Sequence, residues 1–280
     1  MSEIVLTQEE QKNLKGKKEE ERKMSGIILT KEEQKNLKGK KEEAYQLLVN
    51  KAILEKAKEA EYDPMEKKEL DYITETEKSR FYVSKFVTPK VNVSENQIVE
   101  IYNANKEFFD KQNVEFEQAR LGIHNDLFSN AAVQIEAEFI NTIVDNMSKD
   151  VTVSKEDLKF TKGNAEVLRL FIINKIILED AKKNNFEKEE KANLKILEDN
   201  VLLNYYADRT VKDKIRISQQ EIEQIYNDNK ESFGDMPVEN AYNQIGNSLV
   251  TQKATQLKQE LSNQIAKEYD IEKEMKKYNL

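Results

Sequence analysis

The sequence predicts an all-α fold of long helices arranged as two tandem modules. Three observations predict it: helix-breaking residues are few, apolar residues recur every three or four positions over long stretches, and one internal repeat covers most of the chain. The 280 residues include only seven Gly and three Pro, while 35% are charged and 38% are hydrophobic. Such a composition favours long helices, each with one apolar and one solvated face, over a single thick core.

The main internal repeat has a spacing of 124 residues. The stretch VSENQIVEIYNANKEFF begins at Val93 and returns as ISQQEIEQIYNDNKESF at Ile217, and the pair NKAILEKAK and NKIILEDAK has the same spacing. Self-similarity at a fixed period is the mark of repeated supersecondary units. We therefore predict a tandem duplication, with module A over residues 27–150 and module B over residues 151–280.

A second repeat lies at the N-terminal end of the sequence. IVLTQEEQKNLKGKKEE (4–20) and IILTKEEQKNLKGKKEE (27–43) differ at only two positions. We predict that residues 1–26 are an added arm. Two interpretations are open: a loosely held terminal arm, since chain ends are often poorly ordered, or an extra helix that pairs with a neighbouring module or molecule.

Capping boxes mark the predicted helix starts. In this motif a Ser or Thr oxygen accepts a hydrogen bond from the third backbone N–H, and a Glu or Gln at that third position accepts one from the capping residue. Short alternating segments precede the caps (IIL, VNV, VTV and IRI). They could be short strands or extended entry segments, and we predict short extended segments. The three predicted capping boxes are Thr30 with Glu33, Ser94 with Gln97, and Ser218 with Glu221.

The last part of each module has the pattern of one long helix. Apolar residues fall at intervals of three or four from Phe116 to Met147, which predicts a helix of about 30 residues. The same stripe runs from Ala241 to Ile265 in module B. A helix of this length must pack along much of its face. We expect its partners within its own module, and the alternative is a second copy in a homodimer.

The residues that common catalytic and metal sites require are scarce. The sequence has no cysteine, so disulfides, thiolate zinc sites and cysteine nucleophiles are excluded. His124 is its only histidine, which argues against a serine-type triad and a two-histidine zinc site, and we expect it to be a structural or surface residue. No glycine-rich phosphate loop is present. We therefore predict no enzyme activity, no catalytic or metal-binding residue and no cofactor.

Charge and hydropathy also exclude two kinds of partner. The net charge is −8 with the two signs interspersed, so no basic stripe for nucleic acid is visible. The most apolar run, VLRLFIINKIIL from Val167 to Leu178, contains charged residues and is too short to span a bilayer. It is better interpreted as a helix buried on most sides.

Aromatic residues are the candidates for a binding surface. Several cluster near the end of the second helical run of each module, and they cannot all face one apolar stripe. Exposed aromatic patches often mark interaction sites, although packing in the core is the alternative. The candidate peptide-binding residues are Phe81, Tyr82, Phe86, Phe108, Tyr205 and Tyr206.

The order of motifs resembles the SurA/PrsA-type chaperones, whose N-terminal peptide-binding module is related to trigger factor. LLVNKAILEKAKEAEY resembles the first long helix of that module, and VSENQIVEIYNANKEFF resembles its Tyr- and Phe-containing segment. NVEFEQARLGIHNDL and MPVENAYNQIGNSL resemble the start of its closing helix. The resemblance covers nearly the whole chain from Ile27, twice over.

The sequence departs from that family where many members carry a parvulin-type prolyl isomerase domain after the conserved Phe. Here only DKQN separates Phe109 from Val114, and GDM alone separates Phe233 from Pro237. A small domain needs on the order of a hundred residues. The resemblance therefore implies the chaperone modules without the isomerase.

The resemblance implies an ATP-independent holdase that binds unfolded or exported polypeptides in extended form, without prolyl isomerase activity. The alternative is a structural or adaptor protein whose modules bind one specific folded partner. The family is normally exported, yet the sequence begins MSEIVLTQEE with no apolar signal segment. The cell envelope is the expected compartment if a leader precedes this sequence, and the cytoplasm if Met1 is the native start.

Overall fold

A computed structural model describes residues 27–147, 151–184 and 186–279. Within these ranges the chain forms α-helices and one 3-10 turn, Thr88–Lys90, with no β-strand. This confirms the predicted all-α class. The predicted N-terminal arm, residues 1–26, lies outside the described residues.

The helices are numbered here in chain order. In the first half they are α1 Lys31–Asn36, α2 Lys41–Glu59, α3 Pro64–Val87, α4 Glu95–Ala104, α5 Lys106–Lys111 and α6 Phe116–Met147. In the second half they are α7 Lys155–Phe160, α8 Ala165–Lys183, α9 Lys188–Lys212, α10 Gln219–Asp228, α11 Lys230–Phe233, α12 Val238–Glu268 and α13 Ile271–Lys277.

The predicted helix starts are confirmed. All three predicted capping boxes form, at the starts of α1, α4 and α10. Two more were missed by the sequence analysis: Ser154 with Asp157 before α7, and Asp63 with Glu66 before α3. The capping residue has extended backbone geometry in each case, as is usual at this position.

The two long helices have the predicted length. Helix α6 contains 32 residues and α12 contains 31. Other helix bounds recur at the spacing of the sequence repeat. Helices α2 and α8 both have 19 residues, α4 and α10 both have 10, and within each pair the starts are 124 positions apart.

The chain divides into two compact units. The described part of the first unit is residues 27–61 together with 199–279, and the second unit is residues 62–198. The predicted module boundary between residues 150 and 151 lies inside the second unit. The units are therefore composed differently from the sequence repeats.

In the unit of residues 62–198, α3, α6 and α8 pack against one another. Their core cluster contains Tyr82, Val83, Val87, Ile143, Ile176, Ile177 and Ala181. A second cluster joins α4 to α6 through Ile98, Tyr102, Ala119 and Ile123. The first long helix of predicted module B, α8, is thus buried against helices of predicted module A.

In the other unit, α2 packs against α12 and α13. The buried residues of its core cluster are Ile27, Leu29, Leu37, Ala44, Leu48, Val49, Ala52, Ile53, Ala207, Val211, Leu261, Ile265, Ala266, Tyr269, Ile271 and Met275. A smaller cluster of Tyr226, Ala241 and Ile245 joins α10 to α12. Here α1 and α2, from predicted module A, complete a core that is otherwise formed by module B.

Candidate polypeptide-binding surface

A cleft of about 500 Å³ lies in the unit of residues 62–198, where α3, α8 and the first turns of α9 meet. It has an apolar floor and a charged or polar rim. The floor residues are Leu178, Ala181, Phe186 and Leu194. The rim residues are Glu75, Lys78, Lys182, Asn184, Lys191 and Glu198. We refer to these ten residues as the α8 cleft.

A smaller cleft of about 290 Å³ adjoins the α8 cleft. The two share Glu75, Leu178 and Lys182. The smaller cleft continues along α8 to the segment that precedes α7, where Val151 and Thr152 line it. The two clefts therefore lie side by side along α8.

Hydrogen bonds between α3 and α8 hold the walls of the α8 cleft in place. The Asn174 side-chain amide donates to Thr76 Oγ1 at 2.9 Å, and Ser79 Oγ donates to the Asn174 carbonyl oxygen at 3.3 Å. At the end of α8, the Tyr82 hydroxyl donates to Asp180 Oδ2 at 2.7 Å and accepts from Asn184 Nδ2 at 2.6 Å.

The surroundings of the buried Tyr82 hydroxyl favour its protonated form. Burial, together with the hydrogen bond to Asp180 and the charge of that carboxylate, raises the pKa of Tyr82 well above its usual range. The phenol therefore stays protonated and keeps donating to Asp180. Neither Tyr82 nor Asp180 lines the cleft, so this pair supports the cleft from behind and does not offer a reactive group to a ligand.

The rim carries both signs of charge. Lys78 Nζ and Glu198 Oε1 form an ion pair at 2.5 Å across the cleft, from α3 to α9. Burial raises the pKa of Glu75 above its usual range, although the nearby Lys175 opposes this shift. A rim of mixed charge does not select a ligand of one sign, and it keeps the apolar floor from lying open as one large hydrophobic patch.

A buried carboxylate ties α7 to the same unit. Asp157, 1% exposed, accepts from Lys68 Nζ of α3 at 2.5 Å and from Lys175 Nζ of α8 at 2.8 Å. It also caps α7 by accepting from the Ser154 backbone N–H at 3.0 Å. Burial alone would raise the pKa of Asp157, but the hydrogen bonds from Lys175, Lys68 and Ser154 outweigh it and hold the pKa well below its usual range.

Three of the predicted binding residues lie together next to the α8 cleft. The rings of Tyr82 and Phe86 are 5.0 Å apart between centroids, and Phe86 stacks on Phe139, also at 5.0 Å. Phe186 lies 6.2 Å from Phe81 and 6.1 Å from Tyr82. Because Phe186 also lines the cleft, this aromatic cluster forms the support on which one end of the cleft floor is built.

These three residues differ in exposure. Tyr82 is only 1% exposed, so its ring does not reach a ligand in this conformation. Phe81 and Phe86 are half-buried and keep part of their surface in contact with solvent. The Lys85 ammonium lies 5.3 Å from the centre of the Phe186 ring, so one face of the cluster is already covered by a cation.

The other predicted binding residues lie elsewhere. Phe108, on α5, is 57% exposed and contacts Phe109 edge to face at 5.6 Å. Tyr205 and Tyr206 are on the part of α9 that belongs to the other unit. Tyr205 is buried, and Tyr206 packs half-buried against the core of that unit. The structure thus brings together Phe81, Tyr82 and Phe86 only.

The sequence analysis missed the residues that form the floor. Leu178 and Ala181 belong to the apolar stretch of α8, whose pattern indicates burial but not which part of the surface stays open. Phe186 did carry a signal. It lies 124 positions after Tyr62, so both repeats place an aromatic residue just before the second long helix.

The described ranges contain no arranged metal site and no membrane-spanning helix. No group of three or more His, Asp or Glu side chains there is arranged to hold a metal ion. None of the described helices is long and apolar enough to cross a bilayer. His124 is half-buried on α6, with its ring centroid 6.3 Å from that of Phe128.

Comparison with known proteins gives no relative: no family model, curated protein or solved structure matches the chain. The resemblance to SurA/PrsA-type chaperones is therefore a prediction that rests on the sequence motifs. The α8 cleft, with its apolar floor and mixed-charge rim, is the structural feature from which function is argued.

Proposed function

We propose that the protein is an ATP-independent holdase that binds non-native polypeptide in extended form. The α8 cleft is the observation that carries this proposal. Its floor of Leu178, Ala181, Phe186 and Leu194 offers apolar surface without a deep pocket for one side chain. Such a surface binds apolar side chains of many sequences, because the hydrophobic effect depends on buried area and not on direction.

The geometry also favours weak and reversible binding. A cleft of about 500 Å³ covers only a few residues of a client. Each buried CH₂ group contributes about 0.8 kcal/mol, and ordering the client chain offsets much of that gain. A holdase needs this balance, since a client must be released without an energy source.

A further cleft in the other unit supports binding at more than one point. It has a volume of about 420 Å³ and is lined by Tyr45, Asn263, Ala266, Lys267, Asp270, Ile271 and Glu272. Two weak sites on one chain raise the effective concentration of a long client at the second site once the first is filled. A long unfolded chain is then held more tightly than a short peptide.

The sequence motifs support the same proposal. The matched helix lengths and the 124-residue spacing of helix starts support a tandem duplication of one chaperone-like module. Only residues 112–115 connect α5 to α6, which leaves no room at that point for an inserted isomerase domain. We therefore propose holdase function without prolyl isomerisation.

The test places a charge on the floor of the cleft. Leu194→Glu puts a carboxylate where a client side chain would lie, and desolvating it on binding is unfavourable. We expect about ten times more of this variant to be needed for equal suppression of light scattering by two unrelated aggregating clients, which corresponds to about 1.4 kcal/mol. Prolyl isomerisation of a test peptide should stay at the uncatalysed rate.

The matched control is Ile196→Glu, two residues further along the same helix. Ile196 is 58% exposed and does not line the cleft, so the variant adds the same charge away from the floor and should suppress aggregation like the wild type. Circular dichroism would show that both variants fold. If the two variants suppressed aggregation equally well, the α8 cleft would not be the binding site. Absence of suppression by the wild-type protein would favour the adaptor alternative.

A further inference from the structure

Residues 27–37 occupy a well-defined docking site in the first unit. Ile27, Leu29 and Leu37 are buried in one core cluster with Leu48 of α2 and Met275 of α13. Between the buried positions the segment turns into the short helix α1, with Thr30 as its cap. The segment therefore binds through a few fixed positions, as a bound peptide would.

Polar contacts fix the register of the segment. The Leu29 backbone N–H donates to the Tyr278 hydroxyl at 3.3 Å, and Lys51 Nζ donates to the Ile28 carbonyl oxygen at 3.1 Å. Lys51 Nζ also pairs with Glu33 Oε1 at 2.9 Å. We call the surface formed by Leu48, Lys51, Ile271, Met275 and Tyr278 the N-terminal docking site.

A near-copy of this segment lies upstream at residues 4–14. Each residue whose side chain is buried or hydrogen-bonded in the resident segment has an identical counterpart there. The counterparts are Ile4 for Ile27, Leu6 for Leu29, Thr7 for Thr30, Glu10 for Glu33, Gln11 for Gln34 and Leu14 for Leu37.

The two differences between the copies fall at positions whose side chains do not contribute to binding of the resident segment. Val5 stands in place of Ile28 and Gln8 in place of Lys31. Ile28 is 60% exposed and contributes its backbone carbonyl to Lys51, which any residue supplies. Lys31 is exposed as well. The upstream copy thus retains every feature through which the resident segment binds.

We propose that residues 4–14 are a second occupant of the N-terminal docking site and exchange there with residues 27–37 of the same chain. The chain is long enough, because residues 15–40 would then form the connection to α2 that residues 38–40 make now. The exchanged state should be about 25-fold less populated than the resident state, because closing its longer loop costs more entropy. The factor is the ratio of the two loop lengths raised to the power three halves.

The first test is a double-mutant cycle on the full chain. Leu6→Asp alone should leave the urea unfolding midpoint unchanged, since its segment is the minor occupant. Leu29→Asp alone should raise the unfolding equilibrium constant by only about 25-fold, because residues 4–14 take the site. The two substitutions together should raise the unfolding equilibrium constant by about a thousandfold or more, because neither segment can then bury its Leu.

A distance measurement identifies the occupant. The chain has no cysteine, so spin labels can be placed on introduced cysteines alone. The reference distance is measured between labels at Glu32→Cys and Lys273→Cys in the otherwise wild-type chain. In the Leu29→Asp background, labels at Glu9→Cys and Lys273→Cys should give the same distance. This distance should not depend on protein concentration.

Three results would overturn the exchange. The first is a Leu29→Asp chain as unstable as the double variant, or unfolded. The second is a 9-to-273 distance that differs from the 32-to-273 distance. The third is rescue that grows with protein concentration, which would place residues 4–14 in the docking site of a second copy.

Discussion

Replacing Asp157 by Asn removes one charge from the centre of the unit of residues 62–198. The Asp157 carboxylate accepts hydrogen bonds from Lys68, Lys175 and the Ser154 backbone. The amide of Asn has nearly the same volume as the carboxylate. It accepts hydrogen bonds through one oxygen only, and its NH₂ group faces the ammonium groups of Lys68 and Lys175. The substitution therefore weakens the link between α3, α7 and α8 at one point.

The size of the effect follows from the burial of each partner. Breaking a fully buried ion pair costs about 3 to 5 kcal/mol. Here the carboxylate is buried but the side chains of Lys68 and Lys175 are 32% and 28% exposed, so both ammonium groups can regain water. We expect the lower end of the range, and the free energy of unfolding should fall by about 3 kcal/mol.

Urea unfolding followed by circular dichroism measures this loss, and its pH dependence tests the cause. The pKa of Asp157 is lowered in the folded protein, so its contribution is present above the unfolded-state pKa of about 3.9 and is lost as pH falls through the lower folded-state value. The difference between wild type and Asp157→Asn should be constant from about pH 5 to pH 8 and shrink below about pH 4.

Asp71→Asn is the matched control, because it removes the same charge from an exposed position of α3. Its free energy of unfolding should stay within about 0.5 kcal/mol of the wild type. The reasoning would be refuted if Asp157→Asn and Asp71→Asn lost equal stability, or if the Asp157→Asn loss did not change between pH 7 and pH 3.

Three further substitutions test the support of the cleft, a turn and a helix. Tyr82→Phe removes the hydroxyl that joins Asp180 to Asn184, and we expect urea unfolding to show a loss of about 1 to 2 kcal/mol; an unchanged midpoint would mean that water replaces both bonds. Gly39→Ala should lower the free energy of unfolding by about 1 kcal/mol. The space around an added Cβ is open, but φ is +79° at this position, which strains any residue other than Gly. Gly122 lies in the second turn of α6 and is equally open, so Gly122→Ala should instead raise the free energy of unfolding by about 0.5 to 1 kcal/mol. A lower free energy of unfolding for Gly122→Ala would contradict the reasoning.

Local features of this fold could be predicted from the sequence. The capping boxes at Thr30, Ser94 and Ser218 form as predicted, because a capping box is made by residues only three positions apart. The length of α6 could be predicted for a similar reason, since its apolar stripe is continuous over every turn.

The composition of the compact units could not be predicted in the same way. Helices α2 and α8 occupy matching positions in the two repeats and have related apolar faces. A pairing of α2 with α6 or with α12 therefore satisfies the same pattern. Only the packing of particular residues, such as Leu48 with the cluster that contains Ile265, distinguishes the two arrangements.

The candidate site was predicted only in part for a related reason. Periodicity places Phe81, Tyr82 and Phe86 near the end of α3, but it does not tell which ring is covered by a residue distant in sequence. Phe139 and Phe186 supply that cover. The open floor at Leu194 depends on where α9 begins relative to α8, which no local pattern determines.

The division of the first unit has a consequence for synthesis on the ribosome. Residues 27–61 form their core with residues 199–279, so α1 and α2 emerge long before α12 and α13 exist. Residues 62–198 are contiguous and can fold as soon as they leave the exit tunnel, since domains generally fold as units during translation. The apolar faces of α1 and α2 therefore stay uncovered in the nascent chain until α12 and α13 are made. We expect this core to form last, because its contacts span most of the sequence.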